Sequence, residues 1–167
     1  MSRPGEHGGV DADAAVTAVA GCELVVRTAD CAPIALLADG GVGMVHAGWR
    51  GLAAGVVERA VAALGDLGVD PASVRAEIGP CIRAGCYEFA GPGLDQLADR
   101  YGAAVRATTL WGTPALDVVA AATAALTGAG VGRVEVVGGC TACDRTWYSH
   151  RARAETARQA SSAWLDP

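Results

Sequence analysis

The sequence predicts an α/β fold: a mixed-sheet sandwich with helices packed on its outer faces. Three observations lead there. Apolar, β-branched runs crowd the first third of the chain, and helical patterns alternate with short strand-like runs in the rest. At 167 residues, of which 51% are apolar and 19% charged, the chain can bury one substantial core, and residues 1–167 read as a single domain. That composition also sets aside disorder and fibrous repeats.

Residues 1–10 are Gly-rich and polar, a frayed or truncated lead-in. The stretch 22–28, CELVVRT, has the β-branched content of a strand. Two more runs, Ile34 to Leu37 and Val42 to His46, flank Asp39-Gly40-Gly41, and Asp-Gly between apolar runs signals a hairpin. From Gly51 to Leu64, the side chains of Leu52, Val56, Ala60 and Leu64 recur at helical spacing, with Gly65 and Gly68 beyond to end the helix. Asp70-Pro71 supplies a cap and first turn. Arg75 to Ile78 reads as a short strand, and Leu94 to Tyr101 as a weakly amphipathic helix. Thr113-Pro114 opens a better helix carrying Leu116, Val119, Thr123 and Leu126 on one face, and Gly128 lies past its end. Arg133 to Val137 is expected as the final strand.

Thirteen basic residues, all Arg, stand against eighteen acidic ones, for a net charge of −5. A nonspecific nucleic-acid binder needs a basic face, so no nucleic-acid partner is expected. No apolar run approaches the roughly 18–20 residues of a membrane helix, and Met1 to Val10 has no signal-peptide pattern. The expected location is cytoplasmic, away from membranes. There, the six cysteines are better read as thiols or metal ligands than as three disulfides.

Cys31, in TADCAP, and His46, in VHAGWRG, fall at the same end of the expected hairpin. A thiolate and an imidazole brought together form either a catalytic Cys/His pair or two ligands of a zinc ion. The plain alternative is a buried thiol beside a histidine satisfied by backbone. Arg50 follows on a Gly-flanked loop at a helix start, where its guanidinium and the helix amides suit an anion such as phosphate. Cys81, Cys86, Cys140 and Cys143 offer a looser four-thiolate zinc set. A thioredoxin-like role for Cys140-x2-Cys143 lacks the helix that should follow it. Finally, His7, His46 and His150 are too few imidazoles for a trinuclear copper cluster.

TADCAPIALL, VHAGWRGLAAGVVERAV, IGPCIRAGCYEF and CTACDRTWYSHR, in that order from about Ala12 to Leu165, resemble the blocks of the YfiH/YlmD laccase-domain family. The resemblance implies a YfiH-like mixed α/β sandwich and a zinc site of two His and one Cys. It also implies phosphorolysis of purine nucleosides such as adenosine, with adenosine deamination as a second activity. The copper of the family's older polyphenol-oxidase description is set aside. On this resemblance Cys31 and His46 match two zinc ligands, and His7 stands where the third would lie, in a shortened lead-in. Arg50 is assigned to phosphate, and His150 and Arg151 to substrate. Ala122 replaces a usual Asn, a departure that bears on the substrate pocket. The implied partners are a purine nucleoside and phosphate, and the expected state is a monomer or homodimer. Two other classes stay open: a Cys/His hydrolase or amidase acting on cell-wall precursors, and an inactive shortened member serving as a binding protein.

Overall fold

The computed structural model describes residues 10–166. Its centre is the expected hairpin, β3 (Ala32–Ala38) and β4 (Gly41–Ala47), closed through Asp39-Gly40 with Ala38 opposite Gly41. Added to it are β1 (Ala14–Thr17), β5 (Arg75–Ile78) and β8 (Arg133–Val136), giving a five-stranded sheet in the order β1-β4-β3-β5-β8. Only β5 and β8 pair in parallel; the other pairs are antiparallel, so the sheet is mixed, as expected.

The strand period of two divides the core. From the hairpin, Ile34, Leu36, Val45 and Ala47 enter one buried cluster, with Leu52, Val57, Leu64, Leu97 and Leu126. These last come from helices α1 (Trp49–Ala54), α2 (Val56–Asp66), α3 (Pro92–Tyr101) and α4 (Val118–Gly128). Met44 and Val42 face the other way, onto a smaller cluster with Leu24 and Ala163. That second cluster lies under a two-stranded ribbon of β2 (Leu24–Thr28) and β9 (Gln159–Ala163). Helices thus cover one face of the sheet and the ribbon the other.

Three local expectations need correction. The helix expected over Gly51–Leu64 is broken in two at Gly55, whose φ of 80° a side chain would resist, so α1 is only six residues long. Pro114 opens no helix: Pro114–Leu116 is β7, paired with β6 (Arg106–Thr108), and α4 starts only after Asp117 caps the Ala120 N–H at 2.9 Å. The strand at Arg133 is not the last, because β9 follows the short helix α5 (His150–Arg153). As expected, Asp70 caps a turn, its carboxylate accepting the Ala72 N–H at 3.0 Å.

Candidate functional site

Cys31 immediately precedes β3 and His46 is the penultimate residue of β4, opposite Pro33. Strand alternation puts His46 on the ribbon side of the sheet, with Val42 and Met44. The hairpin therefore brings the thiol and the imidazole to its open end. Gly48 keeps the space between them: a Cβ there would lie 3.1 Å from Cys31 Sγ and 3.8 Å from His46 Nε2.

His46 is gripped from its other side. Its backbone N–H donates to the Asp13 carbonyl at 2.7 Å, and its Nδ1 lies 2.8 Å from Asp13 Oδ1. That bond directs Nδ1 to the carboxylate and leaves Nε2 for Cys31, the arrangement by which a carboxylate orients a metal-binding imidazole. The Cys31 side chain is the largest cause raising the His46 pKa, and the Asp13 carboxylate adds to it. Partial burial opposes both, and the result is a pKa pushed up to about 9. The donor chemistry and the gap that Gly48 leaves suit a zinc ion. Among the described residues no third His, Cys, Asp or Glu joins the pair closely enough to complete a ligand set. His7 lies outside the described residues.

Asp30, the residue before Cys31, locks this corner. It is buried, sits at φ 88°, and accepts the Thr141 and Ser149 hydroxyls at 2.7 Å each and the Arg151 N–H at 2.6 Å. Non-Gly residues seldom hold such a φ unless the surroundings impose it, and three hydrogen bonds from over 110 residues away do so here. Asp30 thereby draws the 141–151 turn, with His150 and Arg151, to the hairpin end. His150 is exposed at the start of α5, which Ser149 caps.

Arg151 stacks over Tyr87 at 5.1 Å, and Arg50 over Trp49 at 4.4 Å. Between them, Phe89 touches both rings, 5.2 Å from Trp49 and 5.6 Å from Tyr87. Two guanidiniums thus flank a run of three aromatic rings. Burial raises the Tyr87 pKa, and proximity to Cys31 adds to it. Arg50 is exposed and makes no ion pair among the described residues. Because α1 is so short, the anion reading rests on this guanidinium and not on a helix end. A cavity of about 410 Å³ lies beside Arg151, lined also by Cys86, Glu88, Trp111, Ala142 and Ala152. A larger one, about 820 Å³, sits at the closed end of the hairpin, around Asp39 and Gly40, and contains none of these groups.

Three of the four cysteines considered as a thiolate set also meet. The sulfurs of Cys86, Cys140 and Cys143 lie within 4.8 Å of one another, a group that can hold a metal ion, but Cys81 is not part of it. Cys81 is buried, which pushes its pKa up to about 12. Burial and the neighbouring Cys143 raise Cys86 to about 12. Burial also works against a Cys140 thiolate, but the N–H groups of Arg83, Cys143 and Ala142 outweigh it, and that pKa falls.

A family model described as multi-copper polyphenol oxidoreductase laccase matches residues 3–166. The chain belongs to this family. It is 44% identical over 157 residues to a purine nucleoside phosphorylase of Streptomyces coelicolor, covering 92% of this chain and 64% of that one. It is 42% identical over 164 residues to a purine nucleoside phosphorylase of Xylella fastidiosa, covering 92% and 61%. Among solved structures, YlmD from Geobacillus stearothermophilus matches with a TM-score of 0.84 and 32% identity over 93% of this chain and 61% of that one. The Bacillus licheniformis protein YfiH matches at 0.83 and 30%, over 92% and 61%. The chain spans about three fifths of the length of these relatives. Its mixed α/β fold is therefore that of the YfiH-like structures. The copper in the family's description meets only three histidines in this sequence, too few for a trinuclear cluster. Among the described residues no helix is long and apolar enough to cross a membrane.

Sequence reasoning missed Asp13, Asp30, Tyr87 and Phe89. Asp30 and the pair Tyr87/Phe89 stand inside the TADC and CYEF blocks, so their signal was adjacency to residues already singled out. Asp13 carried none, because the strand that presents it was not expected.

Proposed function

We propose that the chain is a zinc-dependent purine nucleoside phosphorylase whose working residues are Cys31, His46 and Arg50, with His150 and Arg151 contacting substrate. The observation that carries this reading is the meeting of Cys31 and His46 beside aromatic rings flanked by two arginines. The names of the relatives supply the reaction class. In phosphorolysis a phosphate oxygen bonds to the anomeric carbon as the glycosidic C–N bond breaks, and the departing purine nitrogen keeps the electron pair and takes a proton. Cys31 and His46 would hold the zinc, with His7, outside the described residues, as the third ligand that the family resemblance assigns, and the ion would supply fixed positive charge to the site. Asp13 keeps the His46 ring oriented. Arg50 binds phosphate through its fork of N–H donors. The rings of Trp49, Phe89 and Tyr87 offer faces to a purine, and Asp30 holds Arg151 within reach of it. Adenosine deamination, where it occurs, draws on the same pair.

The interaction between Cys31 and His46 also suits a second reading, a metal-free hydrolase or amidase with Cys31 as nucleophile and His46 as base. One experiment separates the two: measure zinc content and incubate the protein with adenosine and phosphate. Release of adenine and ribose 1-phosphate, with turnover and one equivalent of the bound zinc lost in Cys31→Ala and His46→Ala, is the expected result. Ammonia release from adenosine reports deamination. Amide hydrolysis that survives zinc removal and is blocked by thiol alkylation would replace this reading with the second. No turnover, and no zinc lost on changing Cys31 or His46, would leave a binding protein.

A further inference from the structure

Outside the Cys31–His46 pair, Cys86, Cys140 and Cys143 bring three sulfurs together from two segments over 50 residues apart. Cys86 closes a single 3₁₀ turn, Ala84–Cys86. Cys140 and Cys143 stand at the two ends of a tight turn in which the Cys143 and Asp144 N–H groups donate to the Cys140 carbonyl at 3.2 and 2.9 Å. The Cys86 and Cys143 sulfurs are 3.2 Å apart, and all three lie within 4.8 Å. Zinc–thiolate bonds of about 2.3 Å in tetrahedral geometry space the sulfurs roughly 3.8 Å apart, inside that range.

We propose that Cys86, Cys140 and Cys143 form a three-thiolate zinc site, separate from Cys31 and His46, that clamps the 81–89 segment to the 138–153 turn. No fourth His, Cys, Asp or Glu among the described residues joins the cluster, so water takes the fourth position. The backbone around Cys140 supports a ligand role. The Arg83 N–H donates to its sulfur at 3.4 Å, and the Arg83 side chain binds the Gly138 carbonyl at 2.9 Å, fixing one segment against the other. Donors of this kind hold a coordinated sulfur in place. A disulfide would serve the arrangement less well. It would join Cys86 to Cys143 and leave out Cys140, the sulfur on which the N–H donor converges. The clamp has a consequence for the neighbouring site. The two segments it ties carry Tyr87 and Phe89 on one side and Arg151 on the other, and together with Trp111 they line the 410 Å³ cavity that Cys86 also borders. The inference rests on the cysteines alone and stands whether or not the chain is a phosphorylase.

The test is cobalt and zinc binding to the reduced chain carrying Cys31→Ala and His46→Ala, which removes the first pair. One equivalent of metal should still bind, with a thiolate-to-cobalt charge-transfer band. Cys143→Ser in the otherwise unaltered chain, a change at an exposed position, should weaken the band by about one quarter, one thiolate in four once Cys31 is counted, and should lower the zinc affinity of the three-thiolate site. The Cys143→Ser variant keeps the test decisive should the double variant fail to fold. A folded double variant that binds no metal, or a Cys143→Ser protein with an undiminished band and unchanged affinity, would overturn the proposal.

Discussion

Asp13 holds His46 twice, accepting its backbone N–H at 2.7 Å and lying 2.8 Å from its Nδ1 through the side chain. The double contact follows from register: β1 pairs with β4 so that Ala14 faces Val45, which sets Asp13 opposite His46. Asp13→Asn keeps the strand pairing and removes only the carboxylate. Loss of such an outer partner costs metal affinity about 10–100-fold. A zinc titration of the two proteins under identical buffer checks this, and equal affinities would show that Asp13 does not orient a ligand.

Gly48 bears on the same site through space alone. Its backbone, at φ −80° and ψ 165°, suits any residue, so Gly48→Ala introduces no backbone strain. The added methyl would sit 3.1 Å from Cys31 Sγ, tighter than ordinary contact. The tight contact should cost about 1–3 kcal/mol of stability, offset in part by the reduced freedom of the unfolded chain, while zinc affinity falls. A variant that binds zinc as well as the parent would mean that nothing needs the gap between Cys31 and His46.

The centre of the fold was legible because β3 and β4 announce themselves locally, with alternating apolar residues around Asp39-Gly40. The strands at either end of the chain were not. Ala14–Thr17 is short and Ala-rich, and Gln159–Ala163 is small and polar; both are strands because a partner pairs with them, which no local propensity encodes. Pro114 misled through its position, since Pro suits a first helical turn as well as an edge strand, whereas Asp117 marked the true start of α4. At the site, Cys31 immediately precedes β3 and His46 lies near the end of β4, so the local hairpin pattern alone places them at one end. Asp30 and the Cys86–Cys143 contact depend on residues 57 to 121 positions apart, and only tertiary folding brings them together.

Asp30 is the residue whose loss should be felt most widely. Asp30→Ala leaves the Thr141 and Ser149 hydroxyls and the Arg151 N–H without their acceptor and puts alanine at a φ of 88°. Hydrogen bonds to a charged group contribute about 1.5–3 kcal/mol each and do not add fully, so a loss of about 2–5 kcal/mol is expected. For a chain of this size the thermal midpoint should fall by roughly 5–15 °C. Asp30→Asn, which tolerates the left-handed backbone and still offers one acceptor, should lose less. Thermal melts of both variants, with hydrogen exchange at the Arg151 amide, check the order. An alanine variant as stable as its parent would remove Asp30 from its place as the anchor of the 141–151 turn.

Arg50 separates phosphate binding from nucleoside binding. Its guanidinium lies over Trp49 at the surface and pairs with no carboxylate among the described residues, which suits it to take an anion in fork geometry. Arg50→Ala removes a charge-assisted contact of about 1.5–3 kcal/mol, and each 1.4 kcal/mol is tenfold, so KM for phosphate should rise roughly 10–100-fold. KM for adenosine should move much less, because the other arginine of the site, Arg151, is held separately by Asp30 and Tyr87. Arg50→Lys should recover part of the loss: the charge remains, while the planar fork and its stacking on Trp49 do not. Initial rates over a grid of phosphate and adenosine concentrations distinguish the two constants. An Arg50→Ala enzyme whose phosphate dependence is unchanged, or whose two KM values rise together, would place phosphate elsewhere and make Arg151 the next guanidinium to test.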